Sequence, residues 1–270
     1  MIKLILSDMD GTLLDEHGNL PVDFDEVMQL LDDHNILFAP ASGRQYYMLL
    51  KQFAKYRDKF VFIAENGTCA VYKGKELFHT AIPSGQVASL LARTAKIPEA
   101  YTVLCGLESA YILASDQTIF EDQVAIYYDR YKVVESFNEV HDDILKIAVC
   151  DLSAGGSEYN SYPYFADCQE NIKVVVSGAL WMDIMNSDVN KGIATQKIQQ
   201  RLGIKPEECM AFGDYLNDLE MMSAVHYSYA MANAHPQIRQ VARFQAKSNN
   251  ENGVFLAIRE ILQKINNKQK

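Results

Sequence analysis

Carboxylates gather in two short stretches of this chain: Asp8 and Asp10 in the segment DMDGT, and Asp214 and Asp218 in GDYLND, with Asn217 just before the last of them. Ser42 and Gly43 stand in ASGR, and Asn66 in AENG. If the fold brings the acidic stretches together, Asp8, Asp10 and Asp214 would repel one another without a cation among them. An all-oxygen ligand set suits magnesium rather than zinc. Such an ion would let a carboxylate nucleophile approach an anionic phosphate ester. Carboxylates can attack phosphoryl groups, and an acid held beside the nucleophile can protonate the departing alkoxide. Asp8 and Asp10 fit those two roles. Each stretch also has a plainer reading. Asp and Gly are common turn residues, Ser42, Asp214 and Asp218 suit helix N-caps, and a lysine such as Lys191 taken alone is most often solvated.

The elements around these residues favour the chemical reading. Ile2 to Leu6 is an apolar run that predicts a buried strand delivering Asp8 to a loop, followed by a helix over 21–34. Ile36 to Pro40 reads as a second strand ending at Ser42, Tyr46 to Tyr56 as a helix, and Phe60 to Ile63 as a third strand that stops at Asn66. A helix from Lys191 through Leu202, a strand at Cys209 to Phe212 and a helix through Ala224 resume the same rhythm. Alternation of strand and helix predicts a parallel α/β sheet, and ligands collect beyond the carboxyl ends of such strands. Every polar cluster named above falls there. Tyr227 to Met231, Ala242 to Gln245 and a final helix from Val254 would complete this core.

Between those halves the pattern changes. Strand-like runs at Tyr101 to Cys105 and Ala110 to Leu113 lie close together, between helix candidates at 84–96 and 117–130. Further runs at Ile144 to Leu152, Lys173 to Ser177 and Trp181 to Met185 continue an α+β pattern, with 154–167 the least readable stretch. The expected architecture is α/β: a Rossmann-like, doubly wound parallel-sheet core formed by residues 1–83 and 187–270, with an inserted α+β cap domain at 84–186.

Composition narrows the partners. With 270 residues, 49% hydrophobic and 22% charged, the chain can bury a large core. A formal charge of -10 works against nucleic acid and against anionic membrane surfaces, so the expected partner is a small molecule; oligomeric state stays open. The five cysteines Cys69, Cys105, Cys150, Cys168 and Cys209 are scattered and contain no C-x-x-C pair, which predicts free thiols rather than a disulfide framework or a zinc site. Neither a signal peptide nor a membrane-length apolar run is evident, and a cytoplasmic location is expected.

DMDGT, ASGR at 41–44, Asn190-Lys191-Gly192 and GDYLND at 213–218 resemble, in order, the four motifs of the haloacid dehalogenase superfamily. ASGRQYY, AENG, AMANAHP at 230–236 and NENGV at 250–254 resemble its Cof-like sugar phosphatases with a type IIB cap, so the likeness spans nearly the whole chain. The resemblance implies hydrolysis of small phosphate monoesters, most often sugar phosphates, through an aspartyl-phosphate. It makes Asp8 the nucleophile and Asp10 the acid and then the base, with Mg2+ held by Asp8, the Asp10 backbone carbonyl and Asp214. Ser42, Gly43, Lys191 and Asn217 would grip the phosphoryl group, and Asp218 would support the metal or Lys191 from behind. A sugar phosphomutase would need the same acid and base. A noncatalytic phosphometabolite sensor would not. Two cap features depart from the family pattern: Asn186 stands where a proline is expected, and 155–164 is shorter and less helical than usual.

Overall fold

The computed structural model of the chain describes residues 1–167 and 171–268, which leaves Cys168 outside the described residues. The fold divides into two compact units, one of Met1–Gly43, Phe53–Leu77 and Asn190–Lys270, the other of Arg44–Gln52 and Phe78–Val189. The second unit therefore begins earlier than the sequence pattern places it, and it includes the helix Tyr46–Gln52.

The first unit is built on a five-stranded parallel sheet in the order Phe244–Gln245, Tyr227–Ala230, Cys209–Gly213, Leu4–Ser7, Leu37–Pro40. Leu4, Ile5 and Leu6 are fully buried, as their unbroken apolar run requires of a strand covered on both faces. From this central strand the chain crosses through the helix Phe24–Asp33 to one side of the sheet. It later returns on the other side, through Lys191–Leu202 into Cys209–Gly213. The direction of winding thus reverses between Leu4–Ser7 and Cys209–Gly213, where Ser7 pairs with Phe212. A reversal of this kind opens a crevice at the carboxyl ends of the strands. Asp8 and Asp214 are the residues that follow those two strands.

Val61–Ala64 differs from its sequence reading. It touches the parallel sheet by a single bridge, Ala41 to Ile63, and pairs antiparallel with Cys69–Tyr72 in a separate three-stranded sheet completed by Lys75–His79. An aromatic cluster of Phe24, Phe38, Phe53, Tyr56 and Phe60 packs this region, with ring centroids 4.6 to 6.4 Å apart.

The second unit carries a six-stranded sheet in the order Ile172–Gly178, Trp181–Asn186, Ile144–Asp151, Ala100–Gly106, Ala110–Leu113, Tyr131–Val134. Its pairs are antiparallel except the last. Alternate residues face two separate cores: Leu104, Ile147, Val149, Met182 and Ile184 in one, Val103, Cys105, Ala148 and Cys150 in the other. The helix expected over 117–130 ends at Gln123, and Tyr131–Val134 is an edge strand. Asp151 organises the stretch that follows its strand. Its buried carboxylate accepts hydrogen bonds from the Ser153 amide and hydroxyl, the Asn160 amide and the Ser161 hydroxyl. Asn186 donates to the Ala81 carbonyl at 3.0 Å and accepts from the Asp188 amide, closing the strand end without a proline. Among the described residues no helix is long and apolar enough to cross a membrane.

Candidate active site

The loop after Leu4–Ser7 sets the site. Asp8 donates its amide to the Phe212 carbonyl, which ties the loop to the neighbouring strand, and the amides of Leu13 and Leu14 close the turn on the carbonyls of Asp8 and Met9. Gly11 sits at φ +78°, and a Cβ there would lie 2.5 Å from the Asp214 carboxylate. Only glycine fits both constraints. The Thr12 hydroxyl donates to Asp214 Oδ1 at 2.8 Å, fixing one carboxylate from the opposite strand. Asp10 stands on the same loop in extended backbone (φ −77°, ψ 123°), with its side chain exposed.

Lys191 reaches this loop from the first turn of its helix. Asn190 caps that helix by accepting the Ile193 amide at 2.7 Å, an arrangement worth about 1 kcal/mol. A Cβ on Gly192 would lie 2.5 Å from the backbone of Glu220, so the missing side chain lets this helix press against Leu219–Ser223. The ammonium of Lys191 is fully buried and donates to Asp8 Oδ1 at 2.5 Å and to Asp218 Oδ1 at 2.7 Å. The other oxygen of Asp218 accepts the amides of Asp214 and Tyr215 at 3.1 and 3.3 Å. With both oxygens engaged inside the protein, Asp218 orients Lys191 and the Asp214 backbone.

Carboxylate oxygens of Asp8, Asp214 and Asp218 all lie within 4.8 Å of one another. The Asp10 side chain is not one of this group. Burial pushes the Asp8 carboxyl well above the ordinary carboxylate range, and Asp218 adds to that while Lys191 opposes it. Asp214 is raised chiefly by burial, against the pull of the Thr12 hydrogen bond. Burial alone would lower the Lys191 ammonium, yet Asp218 and Asp8 beside it raise it overall, so it stays charged. When ionised, three carboxylates and one ammonium leave two negative charges unbalanced (3 − 1 = 2). An all-carboxylate cluster with that deficit fits a hard divalent cation such as magnesium.

Ser42 and Gly43 follow the strand Leu37–Pro40, which the Ala41 amide ties to the Ser7 carbonyl at 2.8 Å. Ser42 is buried and donates its amide to Ile63. Asn217 donates to the Asn66 side-chain oxygen at 3.3 Å. Sequence reasoning assigned no role to Thr12, Asn66, Asn233 or Asn249. Asn233 donates to the Gly11 carbonyl at 2.7 Å, and Asn249 donates to the Leu14 carbonyl at 2.9 Å while its amide binds Asn233. AMANAHP, through Asn233, and the asparagine just before NENGV thus brace the loop that carries Asp8. Their signal was polar residues in stretches that otherwise lacked a purpose.

A buried carboxylate held by a lysine thus stands at a winding reversal, with acidic partners from the next strand. Residues 5–258 match the haloacid dehalogenase-like hydrolase family, and the chain belongs to that family. It is 30% identical over 262 residues to the 5-amino-6-(5-phospho-D-ribitylamino)uracil phosphatase YbjI of Escherichia coli, covering 97% of this chain and 96% of that one. The crystal structure of SMU.1108c from Streptococcus mutans superposes with a TM-score of 0.83 at 29% identity, covering 97% and 100% of the two chains. The HAD subclass IIB sugar phosphatase BT4131 shares the fold, with a TM-score of 0.77 at 19% identity and coverage of 96% and 98%. The protein is an enzyme of the phosphatase kind, a phosphoric monoester hydrolase.

Proposed function

We propose that the enzyme hydrolyses small phosphate monoesters of sugars or polyols, with magnesium, through an aspartyl-phosphate on Asp8. One observation carries this reading: the buried Lys191 ammonium clamps Asp8 and Asp218 beside Asp214, while Asp10 stands exposed on the same loop as Asp8. Asp8, the Asp10 carbonyl and Asp214 would hold the magnesium ion, which when bound supplies charge that draws the ester and the Asp8 carboxylate together. Ser42, Gly43 and Asn217 would orient the phosphoryl oxygens, and Lys191 would stabilise charge growing on them, an effect of about 3 kcal/mol for a preorganised donor.

An Asp8 oxygen attacks phosphorus as the bond to the ester oxygen breaks, and Asp10 gives its proton to that departing oxygen. Asp10, now ionised, takes a proton from water as the water oxygen attacks the Asp8-bound phosphorus. Phosphate leaves, and both carboxyl groups return to their starting states. The adjacent acid that becomes a base is what favours hydrolysis over a stored phosphoryl group. The phosphate named for the Escherichia coli relative is carried on a ribityl chain, which supports a polyhydroxylated leaving group.

Asp8→Asn is expected to abolish turnover of a generic aryl phosphate while the chain stays folded, and EDTA to silence the wild type until magnesium is restored. Undiminished turnover by Asp8→Asn would sink the assignment. A phosphate-release screen is expected to rank sugar and polyol phosphates above nucleotides.

A further inference from the structure

The segment AENG has no part in the chemistry above, yet its backbone holds three successive residues at positive φ. Glu65, Asn66 and Gly67 follow one another at φ +49°, +58° and +96°. Three successive left-handed residues, two of them with side chains, form only where the surroundings impose them, and such strain gathers at functional sites. The result is to place the half-buried Asn66 over the Ser42-Gly43 turn. The Asn66 amide donates to the Ser42 carbonyl at 2.9 Å. A Cβ on Gly43 would lie 3.1 Å from both terminal atoms of the Asn66 side chain, so the bare backbone at 43 lets Asn66 pack closely over the turn. Its Oδ1 accepts from Asn217 at 3.3 Å, which sets the direction of the Asn217 amide. Asn66 therefore touches all three neutral residues of the phosphoryl grip, from an element outside the parallel sheet.

We infer that Asn66 is a positioning residue of the phosphoryl pocket, holding the Asn217 amide and the Ser42-Gly43 turn in the orientation that binds the phosphate group. The inference rests on the function proposed above. Asparagine suits the position because it tolerates left-handed backbone and presents an acceptor to Asn217. A contact that is equally good before and during reaction changes KM and leaves kcat.

Asn66→Gly keeps the backbone conformation and removes the side chain. Its KM for an aryl phosphate, and its inhibition constant for inorganic phosphate, are expected to rise about tenfold, the worth of one hydrogen bond to a charged group, with kcat within about twofold of wild type. Because the Asn66 backbone amide still holds Ser42 in Asn66→Gly, and the side chain that is removed acts through Asn217, the double variant with Asn217→Ala should be no weaker than Asn217→Ala alone. Wild-type KM and phosphate inhibition in Asn66→Gly, or effects that multiply in the double variant, overturn the inference. Should Asn66→Gly melt below the assay temperature, Asn66→Asp places a negative charge against the same pocket, and unchanged phosphate inhibition in that variant also overturns it. Wild-type turnover tests the proposed function separately. If the wild type is inactive, the positioning role is read from calorimetric binding of inorganic phosphate, and equal binding by wild type and Asn66→Gly refutes it.

Discussion

Replacing Lys191 with methionine removes a charge that is fully buried and shared by two carboxylates at 2.5 and 2.7 Å. Methionine fills most of the lysine stem's volume, so the cavity cost is small. What remains is Asp8 and Asp218 buried without their cation, and breaking a buried pair in this way costs about 3–5 kcal/mol. The loss should depend on pH, and its sign follows from Asp8. Burial already holds that carboxyl above the ordinary range, with Lys191 pulling it down; without the lysine it rises further. Each protein loses stability as pH rises between the unfolded value of about 4 and its own raised folded value, where the folded state binds more protons, so the variant's deficit relative to wild type widens between the wild-type value and the variant's higher one. Each proton contributes about 1.4 kcal/mol per pH unit in that window. Urea unfolding in EDTA at pH 5 and pH 7.5 should therefore show a deficit relative to wild type that is larger at pH 7.5. In magnesium, kcat should fall by at least about a hundredfold. A deficit equal at both pH values, or a total loss below about 1 kcal/mol, would refute the electrostatic account of this lysine.

Two further outcomes follow from the same structure. Asn233→Ala removes the donor to the Gly11 carbonyl and the acceptor for the Asn249 amide; kcat should drop about tenfold and stability by about 1 kcal/mol, and unchanged steady-state kinetics would show that the loop holding Asp8 needs no such brace. Burial pushes the thiols of Cys150 and Cys209 up to about 11 and of Cys69 up to about 12, so at pH 8 fewer than about one molecule in a thousand carries each thiolate. Iodoacetamide followed by peptide mass spectrometry should leave these three unmodified in native protein and label them in guanidinium; native labelling of Cys209 would contradict its place in the sheet core.

The parts of the fold that sequence patterns exposed are those whose burial is one-dimensional. Leu4, Ile5 and Leu6 are buried on both faces and read as a continuous apolar run, and the residue after that run is Asp8. The same holds at Cys209–Gly213 and Asp214. Tyr131–Val134 escaped notice because it is an edge strand with two exposed central residues, so it shows no apolar alternation. The hairpin of Cys69–Tyr72 and Lys75–His79 did carry a local signal, Lys73 and Gly74 at φ +53° and +68° between two short strands, which is the two-residue turn that suits a hairpin. Residues 154–167 resist any periodic reading because side chains organise them: Ser153, Asn160 and Ser161 converge on Asp151.

The candidate site was legible for a related reason. Its residues lie at chain positions fixed by strand ends, and the glycines between them mark close approaches: Gly11 against Asp214, and Gly192 against Glu220. Lys191 is the exception that only three dimensions explain. Taken alone, without the resemblance of Asn190-Lys191-Gly192, it reads as a solvated lysine, and its burial depends on Gly192 letting the helix close on Leu219–Ser223. Once that helix is close, the ammonium has no water to turn to, and Asp8 and Asp218 become its required partners. The clamp on Asp8 is thus a consequence of a missing Cβ one residue away, which is why the Asn-Lys-Gly segment acts as a unit.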